Sequence, residues 1–245
     1  MTFLLYGIVF SQSGAPGSGH PPPGLPPGVG GAPVTLIVEG GLGAAVSWIE
    51  PPDLTPNVAR ALSYAGVVEA LHADRAVLPM RYGCLFEEER QVVEQLAVHG
   101  QQYAAVLRGL DGCVEMGVRV LLTTESPLPL PSFGSESGGA SGRAYLTARA
   151  ARHARAEEVT GALAAVTERL RIALDGLAER TETGRGVRAA PGLSSLYFLV
   201  KRGTVESFRR AFQRIERAEP ARLLLSGPWP PYNFVAPGRV GNGRG

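Results

Sequence analysis

At 245 residues the chain has room for two domains with cores of their own, and 44% hydrophobic with 19% charged residues is ordinary for a globular protein. A formal net charge of +2 is too close to zero to argue for a polyanionic partner. Cys84 and Cys113 lack C-x-x-C spacing, which excludes a disulfide framework and leaves two reduced thiols or at most one bridge.

The opening MTFLLYGIVF has no basic n-region, and no stretch reaches the roughly 18 apolar residues of a membrane helix. A cytoplasmic protein without membrane association is expected. Phe3 to Phe10 is nearly all apolar and predicts a central strand buried on both faces. In Ser11 to Pro33, 14 of 23 residues are Gly or Pro, too little apolar surface to offset ordering, so 11–33 is expected to be a disordered insertion. Val34–Val38 and Ala44–Trp48 flank EGGLG as a hairpin.

From Thr55 the period becomes helical. Thr55 suits an N-cap, Pro56 a first turn, and Val58, Leu62, Val67 and Leu71 an inward stripe. Ala76–Gly83 is extended. Glu87, Glu88 and Glu89 open a second helix, where carboxylates favour the positive end of the dipole, with Val93, Leu96, Tyr103 and Leu107 facing a core. Val114–Leu122 alternates and predicts a strand. The order β-ββ-α-β-α-β suggests a ferredoxin-like α+β sandwich over residues 1–112.

After a second linker, Thr123–Gly142, a long helix is expected over about 143–182. Val159, Leu163, Val166, Leu170, Ala173 and Leu177 form an a/d seam with spacings 4, 3, 4, 3, 4, which must pack on another helix of this chain or of a partner. Leu193–Val200 is a strand. Thr204 caps a helix carrying Val205, Phe208, Phe212 and Ile215, and Arg222–Leu225 is the last strand. Residues 113–236 thus read as a smaller C-terminal α+β domain with a long helix, with Val114–Leu122 available to it as a borrowed first strand, and 237–245 as a flexible tail.

The motifs of common chemistry are missing. There is no phosphate-binding G-x-x-x-x-G-K-[ST], nucleophile elbow or H-E-x-x-H. The GGLG at Gly40–Gly43 leads into a strand, so it reads as a turn and not a dinucleotide loop. His20, His72, His99 and His153 have no metal-ligand spacing. No catalytic residue, metal site or cofactor is expected. Ferredoxin-like sheets also bind RNA, which makes an RNA-binding protein the alternative reading. The strand Val114–Leu122 carries no aromatic for base stacking, however, and Arg143, Arg149, Arg152 and Arg155 run directly into Glu157 and Glu158.

Four stretches carry a resemblance: LPMRYGCLF (Leu78–Phe86), VEMGVRV (Val114–Val120), SGRAYL (Ser141–Leu146) and LLSGPWPPYNF (Leu224–Phe234). Together, and in this order, they resemble the gas vesicle protein F/L family; GPWPPYNF is the most specific of them. Met116 stands where the family often has Trp, and Asn233 where Ser is common. The resemblance implies a two-domain α+β protein without catalysis. It also implies an accessory role in assembling gas vesicles, through contact with the small shell protein or other gas vesicle accessory proteins. Surfaces suited to that role are the stiff terminal stretch with Trp229, Tyr232 and Phe234, and the seam with Leu163 and Leu170, with Arg143 at the start of its helix. Trp229 and Phe234 directly follow a buried strand and read also as a cap on their own core, while Tyr232 and the proline face suit outside contact. Prolines lower the entropy lost on fixing the terminal stretch, and its aromatics supply area at little rotamer cost.

Overall fold

The computed structural model describes residues 2–11, 17–18, 24–50, 55, 57–122, 142–184 and 192–235. The fold is α+β, with ten strands in two sheets and four helices among the described residues. The chain divides into two compact units. One draws on Met1–Glu115, Leu199–Arg202 and Gly227–Gly245, the other on Met116–Phe198 and Gly203–Ser226.

The first unit is built on a sheet of order β2 (Gly17–Ser18), β3 (Thr35–Glu39), β4 (Leu42–Ile49), β1 (Thr2–Phe10), β5 (Leu78–Pro79), with β6 (Leu85–Phe86) also paired to β1. Leu5 pairs with Val46 and Gly7 with Ala45, which leaves Tyr6 as the extra residue of a bulge. The extra residue shifts the alternation. Leu5 and Ile8 enter a core with Val92, Leu96, Tyr103 and Leu107 of α2 (Glu89–Leu110), while Leu4, Tyr6 and Val9 enter another with Tyr64, Val67, Val68 and Leu71 of α1 (Val58–His72). An apolar run buried on both faces is what these two cores require. Gly7 is needed at the bulge, since a Cβ there would lie 2.9 Å from Val77 Cγ2 and 3.1 Å from the Leu78 carbonyl oxygen. Glu88 and Gln91 form a capping box at the start of α2, which accounts for the acidic run.

Three expectations are corrected in this unit. Asn57, not Thr55, caps α1, its side chain accepting from the Arg60 N–H at 2.9 Å. Val58 and Leu62 are 77% and 67% exposed, because the inward face is set by Tyr64, whose hydroxyl lies 3.0 Å from the Leu5 carbonyl and 2.9 Å from that of Met80. The Gly/Pro-rich stretch is also not wholly disordered. Val29 is buried, its N–H donates to the Tyr6 hydroxyl at 2.9 Å, and Ser47 Oγ donates to the Pro33 carbonyl at 2.9 Å. Gly24–Pro33 therefore covers one core where apolar content alone predicted a free loop. Residues 12–16 and 19–23 lie outside the described residues.

The second sheet has the order β10 (Arg222–Trp229), β7 (Cys113–Leu121), β9 (Leu193–Lys201), β8 (Arg180–Thr183). β7 thus joins this sheet and not the first, the borrowed-strand arrangement. α4 (Val205–Ala218) sets Phe208 against Phe198 of β9 with ring centroids 5.2 Å apart, and buries Val205, Ala211 and Phe212. Thr204 makes no side-chain cap, because it ends a short 3-10 turn, Arg202–Thr204. The long helix α3 spans Gly142–Ala173 and stops well short of residue 182. Gly176, at φ +75°, turns the chain out, and Arg180–Thr183 is a strand. Within the seam Ala173 is exposed and Leu174 is buried in its place. The linker 123–141 and the tail 236–245 lie outside the described residues.

Candidate functional site

The terminal stretch joins the first unit, although chain order would place it with the second. A buried carboxylate and apolar packing tie it there. Glu115, on β7, is only 4% exposed and accepts two hydrogen bonds from Asn233, from its backbone N–H at 2.8 Å and its side-chain amide at 2.7 Å. Burial raises the Glu115 pKa, and the two Asn233 bonds oppose that rise. Tight turns follow the strand: the Tyr232 N–H donates to the Pro230 carbonyl at 2.8 Å and that of Phe234 to the Pro231 carbonyl at 3.2 Å. Pro230, Pro231 and Phe234 are buried, and Val235 packs, with Phe3, Cys84 and Phe86, against the core of Leu5, Ile8 and α2.

This clamp leaves two aromatics outside. Trp229 is 45% exposed and Tyr232 37%. The Tyr232 hydroxyl is pushed up to about 12, first by burial and then by the negative charges of Glu69 and Glu115, so it stays a protonated phenol in the physiological range. Of the three aromatics singled out in this stretch, Phe234 closes the core and is not available for docking.

In the second unit, Val159 and Leu163 are half-buried and Val166, Leu170 and Leu174 buried. Leu170 therefore packs inside the unit and offers nothing outward; Leu163 keeps a partly exposed side. Arg143 lies in the first turn of α3, and its side chain is outside the described residues. Beside the seam is an open hollow of about 360 Å³ lined by Ala162, Ala165, Val166, Arg169, Glu219 and neighbours. Its charged groups are spent on each other, Arg169 Nη2 and Nε donating to the Glu219 carboxylate at 2.9 and 3.1 Å. Such a hollow presents no convergent polar groups to a small molecule.

No trio of His, Cys, Asp and Glu able to hold a metal occurs among the described residues. Cys84 and Cys113 are not disulfide-bonded. His72 is buried at the end of α1, its pKa lowered to about 4 by burial and by the nearby Arg202, which also donates to the His72 carbonyl. No described helix is long and apolar enough to cross a membrane. Sequence reasoning missed Glu115 as the anchor; its one signal is a single acid in the largely apolar run CVEMGVRVL, whose only other charge is Arg119.

A family model described as gas vesicle synthesis protein GvpL/GvpF matches residues 2–236. Gas vesicle protein F of a Streptomyces species (strain CB03234) is 30% identical, the match covering 96% of this chain and all of that protein. Gas vesicle protein L of the same strain is also 30% identical, over 85% of each chain. Crystal structures of GvpF from Anabaena sp. PCC7120 and Microcystis aeruginosa share the fold, with TM-scores of 0.72 and 0.69 at 17% and 15% identity, over 96% of this chain in each case and 96% and 99% of theirs. The matched residues include both units and the terminal clamp: the chain belongs to the GvpL/GvpF family of gas vesicle synthesis proteins.

Proposed function

We propose that this chain is a non-catalytic accessory protein of gas vesicle assembly, cytoplasmic and associated with the vesicle, that binds nascent shell protein or another gas vesicle accessory protein. The observation that carries this beyond family membership is the treatment of the terminal aromatics. Trp229, at the end of β10, and Tyr232, on the turn stiffened by Pro230 and Pro231 and held by Glu115, stay 45% and 37% exposed, while Phe234 next to them is buried. Rigid, amphipathic rings on a preorganised turn lose little entropy on binding, which suits a contact surface. Leu163, half-exposed on α3, is a second candidate contact.

The test is co-expression with a gas vesicle shell protein and capture of the tagged full-length chain at moderate salt. Retention of shell protein, weakened several-fold by Trp229→Ala or Tyr232→Ala in variants that keep their melting temperature, supports the reading. Failure to retain shell protein or any other gas vesicle protein sinks it.

A further inference from the structure

The chain order β7, α3, β8, β9, α4, β10 with sheet order β10-β7-β9-β8 puts both crossover helices on one side of the second sheet. Its residues sort accordingly. Met116, Val118, Leu196, Phe198 and Leu223 point to the helical side and are buried, Phe198 against Phe208 of α4. Between them Gly117, Arg119, Tyr197, Leu224 and Ser226 face the other way. Arg119, Leu224 and Ser226 are exposed there and Tyr197 is half-buried. A solvated face of an antiparallel sheet is ordinarily polar throughout. On this one a leucine and a tyrosine stand among arginines.

Contacts fix the arrangement. Ser226 Oγ donates to the Gly117 carbonyl at 3.3 Å, and a Cβ on Gly117 would lie 2.8 Å from that hydroxyl oxygen and 3.7 Å from the Tyr197 ring. A Cβ on Gly184, which donates to the Ser195 carbonyl on the other flank of β9, would lie 3.1 Å from Tyr197 Cε2. Glycine thus stands on both flanks of the Tyr197 ring, where any side chain would crowd it. Asn233, downstream of β10, reaches Glu115, upstream of Gly117, so β10 and β7 run in opposite directions. Arg119 therefore falls beside Leu224, and alternation brings Arg222 to the same patch.

Charge decides what this patch can take. Neither the Arg119 nor the Arg222 guanidinium has a partner among the described residues. The acid on this side of β7, Glu115, is buried and spent on Asn233. β8 adds Arg180 and Glu182, one charge of each sign. What is left over is two cations beside a leucine and a ring. A strand of nucleic acid needs a longer basic track and successive stacking platforms, so the fit is to a carboxylate-bearing peptide.

We propose that this open face docks an acidic segment of a partner gas vesicle protein, with carboxylates flanking an apolar side chain. Arg119 and Arg222 hold the carboxylates as forked donors, and the apolar side chain packs over Leu224 and Tyr197. A basic or wholly apolar segment would leave both guanidinium groups covered and unpaired, which opposes binding. The proposal rests on the assembly reading above and adds to it a second contact surface of defined charge.

In the experiment the tagged full-length chain is co-expressed with gas vesicle shell and accessory proteins and captured with and without nuclease. Retained gas vesicle proteins are quantified for wild type, Arg119→Glu, Arg222→Glu, Arg119→Gln and Arg214→Glu. Arg214 is exposed on α4 and receives the same charge change on the helical side. The expected result is at least about a tenfold loss of one gas vesicle protein in the Arg119→Glu and Arg222→Glu variants. Arg119→Gln shows a smaller loss, Arg214→Glu none, and melting temperatures stay within a few degrees. Arg119→Gln keeps the test decisive where a reversed charge prevents folding. Retention equal to wild type in Arg119→Gln and Arg222→Glu, or an equal loss in Arg214→Glu, overturns the acidic-segment site and leaves the assembly reading standing. No retention of any gas vesicle protein by wild type removes both. Retention abolished by nuclease makes nucleic acid the occupant, and a dimer of the chain alone that Arg119→Glu dissociates makes it a second copy; either result overturns the proposal.

Discussion

Asn233→Ala isolates the clamp on Glu115. The substitution deletes the side-chain bond at 2.7 Å and leaves Glu115 Oε1, in a residue only 4% exposed, short of a partner. Hydrogen bonds to charged groups contribute about 1.5–3 kcal/mol, so a loss of about 2 kcal/mol is expected where Glu115 is ionised. The sign of the pH dependence follows from the raised pKa. Burial already disfavours the ionised form in the fold, so ionisation of Glu115 subtracts stability as pH rises through the folded pKa, and protonation restores it as pH falls. Removing a bond that favours the ionised form lifts the variant's pKa further. The difference between wild type and variant is therefore largest at pH 8 and shrinks on acidification toward pH 5. Urea unfolding at both pH values measures it, and Asn233→Ser, which keeps a donor, should recover part of the loss. A difference that is flat between pH 8 and pH 5, or larger at pH 5, would refute the view that a buried ionised acceptor holds this stretch.

Gly28→Ala should destabilise by about 3 kcal/mol or more in thermal unfolding, because its Cβ would lie 2.1 Å from the Tyr6 hydroxyl and 2.7 Å from Ser47 Oγ in a packed site. An effect below 0.5 kcal/mol would mean that Gly24–Pro33 is not held in place. His72, lowered to about 4 from an ordinary 6.5, keeps the fold from taking a proton that the unfolded chain takes. Its contribution is intact above pH 6.5 and is lost as pH falls toward 4, at about 2 kcal/mol between pH 7 and pH 5. His72→Gln should flatten that part of the stability profile measured by urea titration. Leu62→Gln should change stability by less than about 0.5 kcal/mol and Val68→Ala by about 2 kcal/mol, measured in the same way, since Leu62 faces solvent and Val68 is fully buried.

The strands and helices were legible where a single local rule governs them. An unbroken apolar run gives β1, and the stripe Val205, Phe208, Phe212 gives α4. What could not be read depends on partners far along the chain. The facing of α1 is decided by the Tyr64 hydroxyl reaching Leu5 and Met80 carbonyls, so the alternative stripe through Val58 and Leu62 looked equally good in sequence. Gly24–Pro33 reads as free loop because composition counts apolar area, whereas buried Val29 and two hydrogen bonds, to the Tyr6 hydroxyl and from Ser47 Oγ, hold it. The end of α3 was set two turns too late because Leu177 continues the heptad pattern past Gly176, and a left-handed glycine outranks pattern. Of the candidate contact residues, Trp229 and Tyr232 kept their exposure, while Phe234 and Leu170 went to cores for the reason that made them conspicuous, their apolar area.

The clamp also has a consequence in time. Asn233 reaches Glu115 across 118 positions, so on a ribosome the acceptor exists long before its donor. At roughly 5–20 residues per second that interval is on the order of 6–24 s. During it, the first unit has its two helices and first sheet but lacks Phe234 and Val235 from its packing, and Glu115 must find water or another donor. The first unit thus waits, for its closure, on residues made long after its two helices. A nascent chain held short of residue 233 would therefore carry an open seam in its N-terminal unit, for a chaperone to cover or a protease to enter.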